Sequence, residues 1–167
     1  MPRLFVALAL PESIEQAIAQ WQRTHQPTGT TAVVAKNLHI TLRFIGQCSN
    51  QQVDDIASAL GAIQVPSWHQ SIDKIGRFNT PQIGYLCSRH TCSELIALKD
   101  AVHLQTSAFG RTPAHPSYIP HVTVFHRLAQ RIDWQAPAPL LNWRVRHFSL
   151  FESAHGTYQE LHRWPTL

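Results

Sequence analysis

Two short stretches with the same pattern constrain the fold of this chain most. Residues 38–44 and 120–125 each contain a histidine, one apolar residue and a threonine, and the two histidines, His39 and His121, are 82 positions apart. Polar and apolar residues alternate in both stretches, as they do in β-strands that bury one face. We therefore expect two similar strands, each presenting an imidazole and a hydroxyl on one surface.

The His-x-Thr pattern alone is weak, because it occurs a third time at residues 155–157. There a glycine separates the two residues and the apolar alternation is missing, which indicates a turn. The strand context, rather than the pattern, selects His39 and His121. A simpler interpretation stays open, in which both histidines lie on half-exposed strands and the threonines reflect β-propensity.

The other patterns predict an α+β fold in a single domain that spans residues 1–167. Helical spacing of apolar residues predicts three helices, over 13–25, 49–63 and 93–109. Extended patterns predict strands over 3–10, 38–45, 68–78, 82–88, 121–128, 143–153 and 157–164. The connection at residues 79–81 is typical of a hairpin, so part of the sheet is expected to be antiparallel.

Composition narrows the class of partner. The net charge of +4 comes from scattered residues without a basic tail, which suits a phosphate-bearing partner such as RNA or a nucleotide. Three cysteines without C-x-x-C spacing predict free thiols in the cytoplasm. The first ten residues are too short for a membrane span, and we expect a monomer that binds no membrane, no metal and no cofactor.

Two imidazoles on adjacent strands suit phosphodiester hydrolysis. In-line attack on phosphorus needs a base for water and an acid for the leaving oxygen, and histidine serves as either near neutral pH. Strand alternation predicts that Thr41 and Arg43 lie on the same face as His39, and Thr123 on that of His121, where they would hold the nonbridging oxygens.

These residues resemble the 2H phosphoesterase superfamily, and more closely the bacterial and archaeal RNA 2',3'-cyclic phosphodiesterases, also named 2'-5' RNA ligases. The resemblance covers nearly the whole chain. It rests on the F-x-A-x-x-L-P pattern from Phe5, the L-H-x-T-L-x-F-x-G pattern from Leu38, and the segment 120–124.

The resemblance implies a bilobal fold, in which antiparallel or mixed sheets line a central cleft and helices lie outside. It also implies metal-independent opening of 2',3'-cyclic phosphate ends of RNA to 2'-phosphomonoesters, with reversible 2'-5' ligation as the reverse reaction. By the same resemblance His39 is the proton donor, His121 the proton acceptor, and Thr41 and Thr123 bind phosphate.

Two further substrate-binding residues are expected near His121. The family commonly has an arginine where this chain has His126. Strand parity predicts that Arg127, rather than His126, faces with His121, and a bend at the end of the strand would reverse this. Tyr118 stands where the family usually has an aromatic residue; it would stack on a base or serve packing.

Other functions remain open at this point. A related enzyme would act on a small cyclic nucleotide or on ADP-ribose cyclic phosphate. A non-catalytic module would bind RNA ends, although arginine or lysine would serve binding alone. A metal-dependent hydrolase has little support, because the sequence has no H-x-x-x-H pattern suited to one helix face and no carboxylate cluster.

Overall fold

The computed structural model describes residues 1–110 and 117–167 and, within them, contains three α-helices and ten β-strands. The helices are α1 (Glu12–His25), α2 (Asn50–Gly61) and α3 (Ser93–Gln105). The strands are β1 (Arg3–Ala9), β2 (Thr31–Ala32), β3 (His39–Gln47), β4 (Trp68–Ile72), β5 (Lys74–Phe78), β6 (Ile83–Cys87), β7 (Val122–His126), β8 (Leu141–Val145), β9 (His147–Ala154) and β10 (Thr157–Pro165).

Two long predicted strands are each divided in the structure. The stretch 68–78 breaks at Asp73 into β4 and β5, and the stretch 143–153 breaks at Arg146 into β8 and β9. The first part of each pairs with the other, as the two-stranded sheet β4–β8, while β5 and β9 join the main sheet. At each break one polar residue lies between the strand of one sheet and the strand of the other. The apolar pattern continues across the break, so the sequence predicts one long strand instead of two.

The main sheet has the strand order β10-β9-β1-β3-β7-β6-β5, and the short strand β2, which the sequence did not predict, pairs with β7. All of the described pairings are antiparallel. Strands β10, β9, β1 and β3 form one half of this sheet, and β7, β6 and β5 form the other. Within the described residues, β3 and β7 pair at Ile40 opposite Val122. The expected α+β class with antiparallel sheets is confirmed. Of the two strands that join the halves, β3 contains one His-x-Thr pattern, and β7 begins directly after the histidine of the other.

One face of the main sheet carries the core. Leu4, Val6 and Leu8 of β1 alternate toward it, and the three helices pack against it through fully buried residues such as Ile18 and Leu98. Helix α2 begins with a capping box between Ser49 and Gln52, which satisfies its first backbone donors. We call this surface of the sheet the helix face.

The described residues also show the state of the cysteines and the character of the helices. The three cysteines are free, as predicted. None of the helices seen in residues 1–110 and 117–167 has the length and apolar character that crossing a membrane requires.

Candidate active site

The pair that joins the two halves also sets the direction of the histidines. Ile40 and Val122 are buried on the helix face. Because neighbouring side chains in extended backbone point to opposite faces, His39 and Thr41 of β3, and Thr123 of β7 with His121 directly before that strand, point away from the core. We call this opposite surface the site face.

The His39 ring is held at both nitrogens. Its Nδ1 lies 2.6 Å from the backbone oxygen of Asn37, and its Nε2 lies 2.9 Å from the Thr41 hydroxyl oxygen. A carbonyl oxygen only accepts, so Nδ1 carries the proton. In the neutral ring, Nε2 therefore accepts a hydrogen bond from Thr41, and it is the nitrogen that exchanges a proton.

The His121 ring is oriented in the same way. Its Nδ1 lies 2.7 Å from the backbone oxygen of Ile119, which again is the residue two positions earlier. Pro120 lies between them, and a proline favours extended backbone in the residue before it. Both imidazoles thus have Nδ1 bound to the backbone, so in the neutral rings Nε2 is the nitrogen that can take up a proton.

Each histidine also packs against one phenylalanine and one tyrosine. Phe5 and Tyr158 lie 5.1 and 5.4 Å from the His39 ring, measured between ring centroids. Phe78 and Tyr85 lie 5.3 and 5.1 Å from the His121 ring. These rings fix the orientation of the imidazoles and remove water from one side of them.

The surroundings lower the pKa of both histidines. Burial is the main cause for His39 and for His121, and the backbone hydrogen bond to Nδ1 opposes it in each case. The charge of His121 lowers the pKa of His39 further, so the two rings interact electrostatically. Repulsion therefore disfavours the doubly protonated pair.

The strand β3 contains a β-bulge directly after its His-x-Thr pattern. Consecutive residues of β1 oppose Thr41 and Arg43, so Leu42 has no partner in that register. Leu42 and Arg43 are both buried, and Phe44 is 47% exposed. A bulge shifts the alternation of the strand by one residue, and it turns Phe44 to the site face, where its ring lies 5.5 Å from that of Phe5.

The prediction that Arg43 lies on the same face as His39 is therefore wrong. The Arg43 guanidinium donates to the Thr106 hydroxyl at 2.6 Å and to the Phe109 carbonyl at 3.1 Å, and it also contacts the Thr106 carbonyl. These groups end α3 and begin the following turn, on the helix face. Arg43 thus stabilises the carboxyl end of a helix, as a cation does there.

The strand β7 contains a bulge at the equivalent position. Consecutive residues of β6 oppose Thr123 and Phe125, so Val124 has no partner in that register. Val124 and Phe125 are both buried, and His126 is exposed. His126 lies opposite Ile83, two residues from the tyrosine that packs on His121.

The parity argument at the end of β7 is wrong for the same reason. It assumed unbroken alternation and predicted that Arg127 rather than His126 faces with His121. The bulge returns His126 to the site face, and Arg127 follows it with a left-handed backbone, at a φ of 62°. A role for Arg127 in substrate binding stays a prediction.

Comparisons with known proteins address the family and the fold. Residues 8–85 match the family model described as LigT like Phosphoesterase. The RNA 2',3'-cyclic phosphodiesterase of Escherichia coli is 29% identical over 97% of this chain and 95% of its own. That of Methanocaldococcus jannaschii is 25% identical over 90% of this chain and 91% of its own.

A solved structure extends the match to the fold. The crystal structure of E. coli LigT complexed with 3'-AMP superimposes with a TM-score of 0.90 and 27% identity, over 99% of each chain. The chain thus resembles the LigT-like phosphoesterases in sequence and in fold. The family resemblance of the sequence and the fold that it implied are thus confirmed.

Within this LigT-like fold, Tyr118 connects the two halves of the sheet. Its hydroxyl donates to the backbone carbonyl of Thr41 at 2.6 Å, and the Lys99 ammonium lies 5.2 Å from its ring centroid. Burial raises the pKa of Tyr118 well above its usual value. The contacts support the packing role that the sequence left open beside base stacking.

The sequence analysis missed several residues around the candidate site. The backbone oxygens of Asn37 and Ile119 have no signature, because any residue carries a carbonyl. Tyr158 reaches His39 from a distant hairpin, although Phe5 belongs to an N-terminal pattern that the resemblance uses. Across the part of the chain that the structure describes, no three His, Cys, Asp or Glu residues are grouped as metal ligands.

Proposed function

We propose that this chain hydrolyses 2',3'-cyclic phosphate ends of RNA to 2'-phosphomonoesters by acid-base catalysis between His39 and His121. The observation that carries the proposal is the matched geometry of the two imidazoles. Each has Nδ1 bound to the carbonyl two residues earlier, and each lies beside the single pair that joins the halves of the sheet. The names of the two relatives support the choice of substrate.

The chemistry requires one proton to be taken and one to be given. His121 Nε2 accepts a proton from water as the water oxygen forms a bond to phosphorus. The bond from phosphorus to O3' breaks on the opposite side, and His39 Nε2–H donates its proton to O3'. The products are a 2'-phosphomonoester and a free 3'-hydroxyl. In the ligation that the resemblance implies, a 5'-hydroxyl takes the place of water: its oxygen bonds to phosphorus, its proton goes to His121, and the bond to O3' breaks, which leaves a 2'-5' linkage.

The low pKa values of the pair fit this exchange. One imidazole must be protonated and the other neutral, and the mutual repulsion of the two charges favours that singly protonated state over the doubly protonated one. An anionic phosphate bound between the rings raises the pKa of the donor again. The substrate therefore helps to charge the acid that acts on it.

Three other side chains are proposed to hold the nonbridging oxygens. The Thr41 hydroxyl donates to neutral His39 in the free protein; once His39 is protonated at Nε2, the hydroxyl hydrogen becomes available to phosphate. Thr123 occupies the same position after His121. His126 replaces Arg127 in this proposal, because the bulge brings its imidazole to the site face.

The test is turnover of an RNA oligonucleotide with a 2',3'-cyclic phosphate end, in the presence of a chelator. We expect the wild-type protein to produce a 2'-phosphomonoester, identified by phosphorus NMR. His39→Ala should lower the rate by about 10²–10⁴-fold, with unchanged circular dichroism and thermal midpoint.

A matched control is available in the third His-x-Thr sequence. His155 is exposed at a turn, so His155→Ala should retain the wild-type rate. Equal rates for His39→Ala and His155→Ala would contradict the proposed mechanism, and complete loss of turnover in chelator would contradict metal independence.

A nucleotide is the second candidate substrate. The structural relative from E. coli binds 3'-AMP, a ligand of one nucleotide, so a small cyclic nucleotide would fit the same chemistry. A kcat/KM for adenosine 2',3'-cyclic phosphate that exceeds the value for the cyclic-phosphate-ended oligonucleotide would favour this candidate.

A further inference from the structure

The junction between the two halves of the main sheet is short. Among the residues that the structure describes, β3 and β7 pair at Ile40 opposite Val122 alone. Because the two strands are antiparallel, His39 lies on one side of this pair and His121 on the other. On the side of His39 the backbone contact continues, since β2 pairs with residues 125–126 of β7. The side of His121 is where the backbone ladder ends.

A tyrosine hydroxyl continues the junction on the side of His121. Tyr118 donates to the backbone carbonyl of Thr41, the residue that follows the paired Ile40, at a distance of 2.6 Å. Its ring packs against the hydrophobic core, and the Lys99 ammonium of α3 lies 5.2 Å from the ring centroid, a distance at which a cation is attracted to an aromatic face. The packing and the cation restrict the ring, so the hydroxyl is held against β3.

This hydrogen bond completes a continuous connection between the two imidazoles. The Thr41 hydroxyl contacts His39 Nε2, and the Thr41 carbonyl accepts from Tyr118. Tyr118 is followed in the chain by Ile119, whose backbone oxygen contacts His121 Nδ1. A displacement of Tyr118 therefore moves the carbonyl that orients His121, relative to the threonine that contacts His39.

We propose that Tyr118 is a positioning residue, whose hydroxyl fixes the separation and the mutual orientation of the His39 and His121 rings. This inference rests on the proposed function and deepens it, because it adds the group that aligns the acid and the base without touching the substrate. Both rings must lie at hydrogen-bond distance from the reacting oxygens, and a displacement of about 1 Å can cost about 10²-fold in rate. The hydroxyl rather than the ring has this role, which distinguishes it from base stacking.

The kinetic test is Tyr118→Phe, which removes the hydroxyl and keeps the ring. The side chains proposed to hold phosphate stay in place, so the loss falls on alignment in the transition state. We expect kcat on the cyclic-phosphate-ended RNA to fall by roughly 10- to 10²-fold, while KM stays within about twofold of the wild-type value. A wild-type kcat in Tyr118→Phe, as stacking or packing of the ring would give, would overturn the inference while the proposed function stands.

A matched control is Thr166→Val, which removes another hydroxyl from a backbone carbonyl. Thr166 Oγ1 donates to the Val145 carbonyl of β8 at 2.9 Å, and both residues lie outside the main sheet. Both variants should have a lower thermal midpoint than the wild-type protein, whereas only Tyr118→Phe should lose kcat. An equal loss of kcat in the two variants would assign Tyr118 a stabilising role alone and contradict the proposal.

A titration of the free protein measures the separation of the rings without any turnover. The charge of His121 lowers the pKa of His39, so His121→Asn should raise the pKa of His39, followed through its ring protons by NMR. In a Tyr118→Phe background the same replacement should raise this pKa less, since the interaction of two charges weakens with distance.

This titration separates the two proposals. If no cyclic phosphate is hydrolysed, the proposed function fails, and the titration still decides whether Tyr118 positions the rings. An equal rise in the pKa of His39 in both backgrounds would overturn the positioning role. If Tyr118→Phe does not fold, Lys99→Met, which removes the cation from the Tyr118 ring, replaces it in both measurements with the same expected directions and smaller changes.

Discussion

The two histidine strands have the same backbone design but different side chains after it. In β3 and in β7 the His-x-Thr pattern is followed by one extra residue, then by a buried residue, and then by a residue turned to the site face. That last position holds Phe44 in β3 and His126 in β7. The repeated bulge thus presents an apolar ring on one half of the site and an imidazole on the other.

The comparison teaches that the position after the bulge, rather than strand parity, decides which residue lies on the site face. The buried position before it also differs, since Arg43 contacts the end of α3 and Phe125 stacks against Trp21 of α1. The two histidines therefore have the same backbone setting, while the residues that follow them differ between the two strands.

The largest expected effect comes from removing one of the two histidines, His39 or His121. His39→Ala and His121→Ala should each lower the rate on a cyclic phosphate by about 10²–10⁴-fold. A phosphodiester with a nitrophenolate leaving group needs no proton donor, so it should restore much of the activity of His39→Ala and little of that of His121→Ala. Equal recovery in both variants would contradict the assigned roles.

The next effect concerns the bulge in β7. The backbone oxygen of Val124 accepts hydrogen bonds from the Gln22 side chain at 2.8 Å and from the Val33 amide at 3.0 Å. Gln22→Leu removes the first of these and leaves buried polar groups unsatisfied, so the free energy of unfolding should fall by about 1–3 kcal/mol in urea titrations. Gln16→Leu, on the exposed side of the same helix, is the control and should change it little.

The arginine of β3 provides the matching test in the other half. Arg43→Met should lower the free energy of unfolding by roughly 1.5–3 kcal/mol, because hydrogen bonds from a charged group to the end of α3 are lost. Chemical denaturation measures this loss. If Arg43→Met instead kept full stability and raised KM severalfold, the role predicted from the sequence would be correct and the structural role wrong.

The smallest expected effect compares the two residues at the end of β7. An imidazole N–H to a phosphate oxygen is a charge-assisted hydrogen bond. Its loss in His126→Ala should raise KM by roughly three- to tenfold, since solvent at the exposed His126 reduces the contribution of the bond to about 1 kcal/mol. Arg127→Ala should change KM less at moderate salt. A larger increase for Arg127→Ala would restore the parity argument.

Much of the fold and the central part of the site could be predicted from the sequence. The alternation of polar and apolar residues around His39 and His121 predicts the two strands correctly. The hydrogen bond between His39 and Thr41 agrees with the prediction that these two side chains share one face. Arg43, Phe44 and His126 could not be placed, because a bulge inserts one residue without a change in apolar pattern. Two consecutive buried residues, such as Leu42 and Arg43, reveal a bulge only when the residues of the partner strand that lie opposite them are known.

The pH dependence of kcat/KM, measured in chelator on a cyclic-phosphate-ended RNA, tests the two-histidine account most directly. The ordinary histidine pKa is about 6.5, and burial lowers it for both residues. Above both values the pair lacks its acid, and below both it lacks its base, so the account predicts a bell-shaped profile with its maximum below about pH 6.5. A profile that rises to a plateau above neutral pH, and that His39→Ala leaves unchanged in shape, would contradict it.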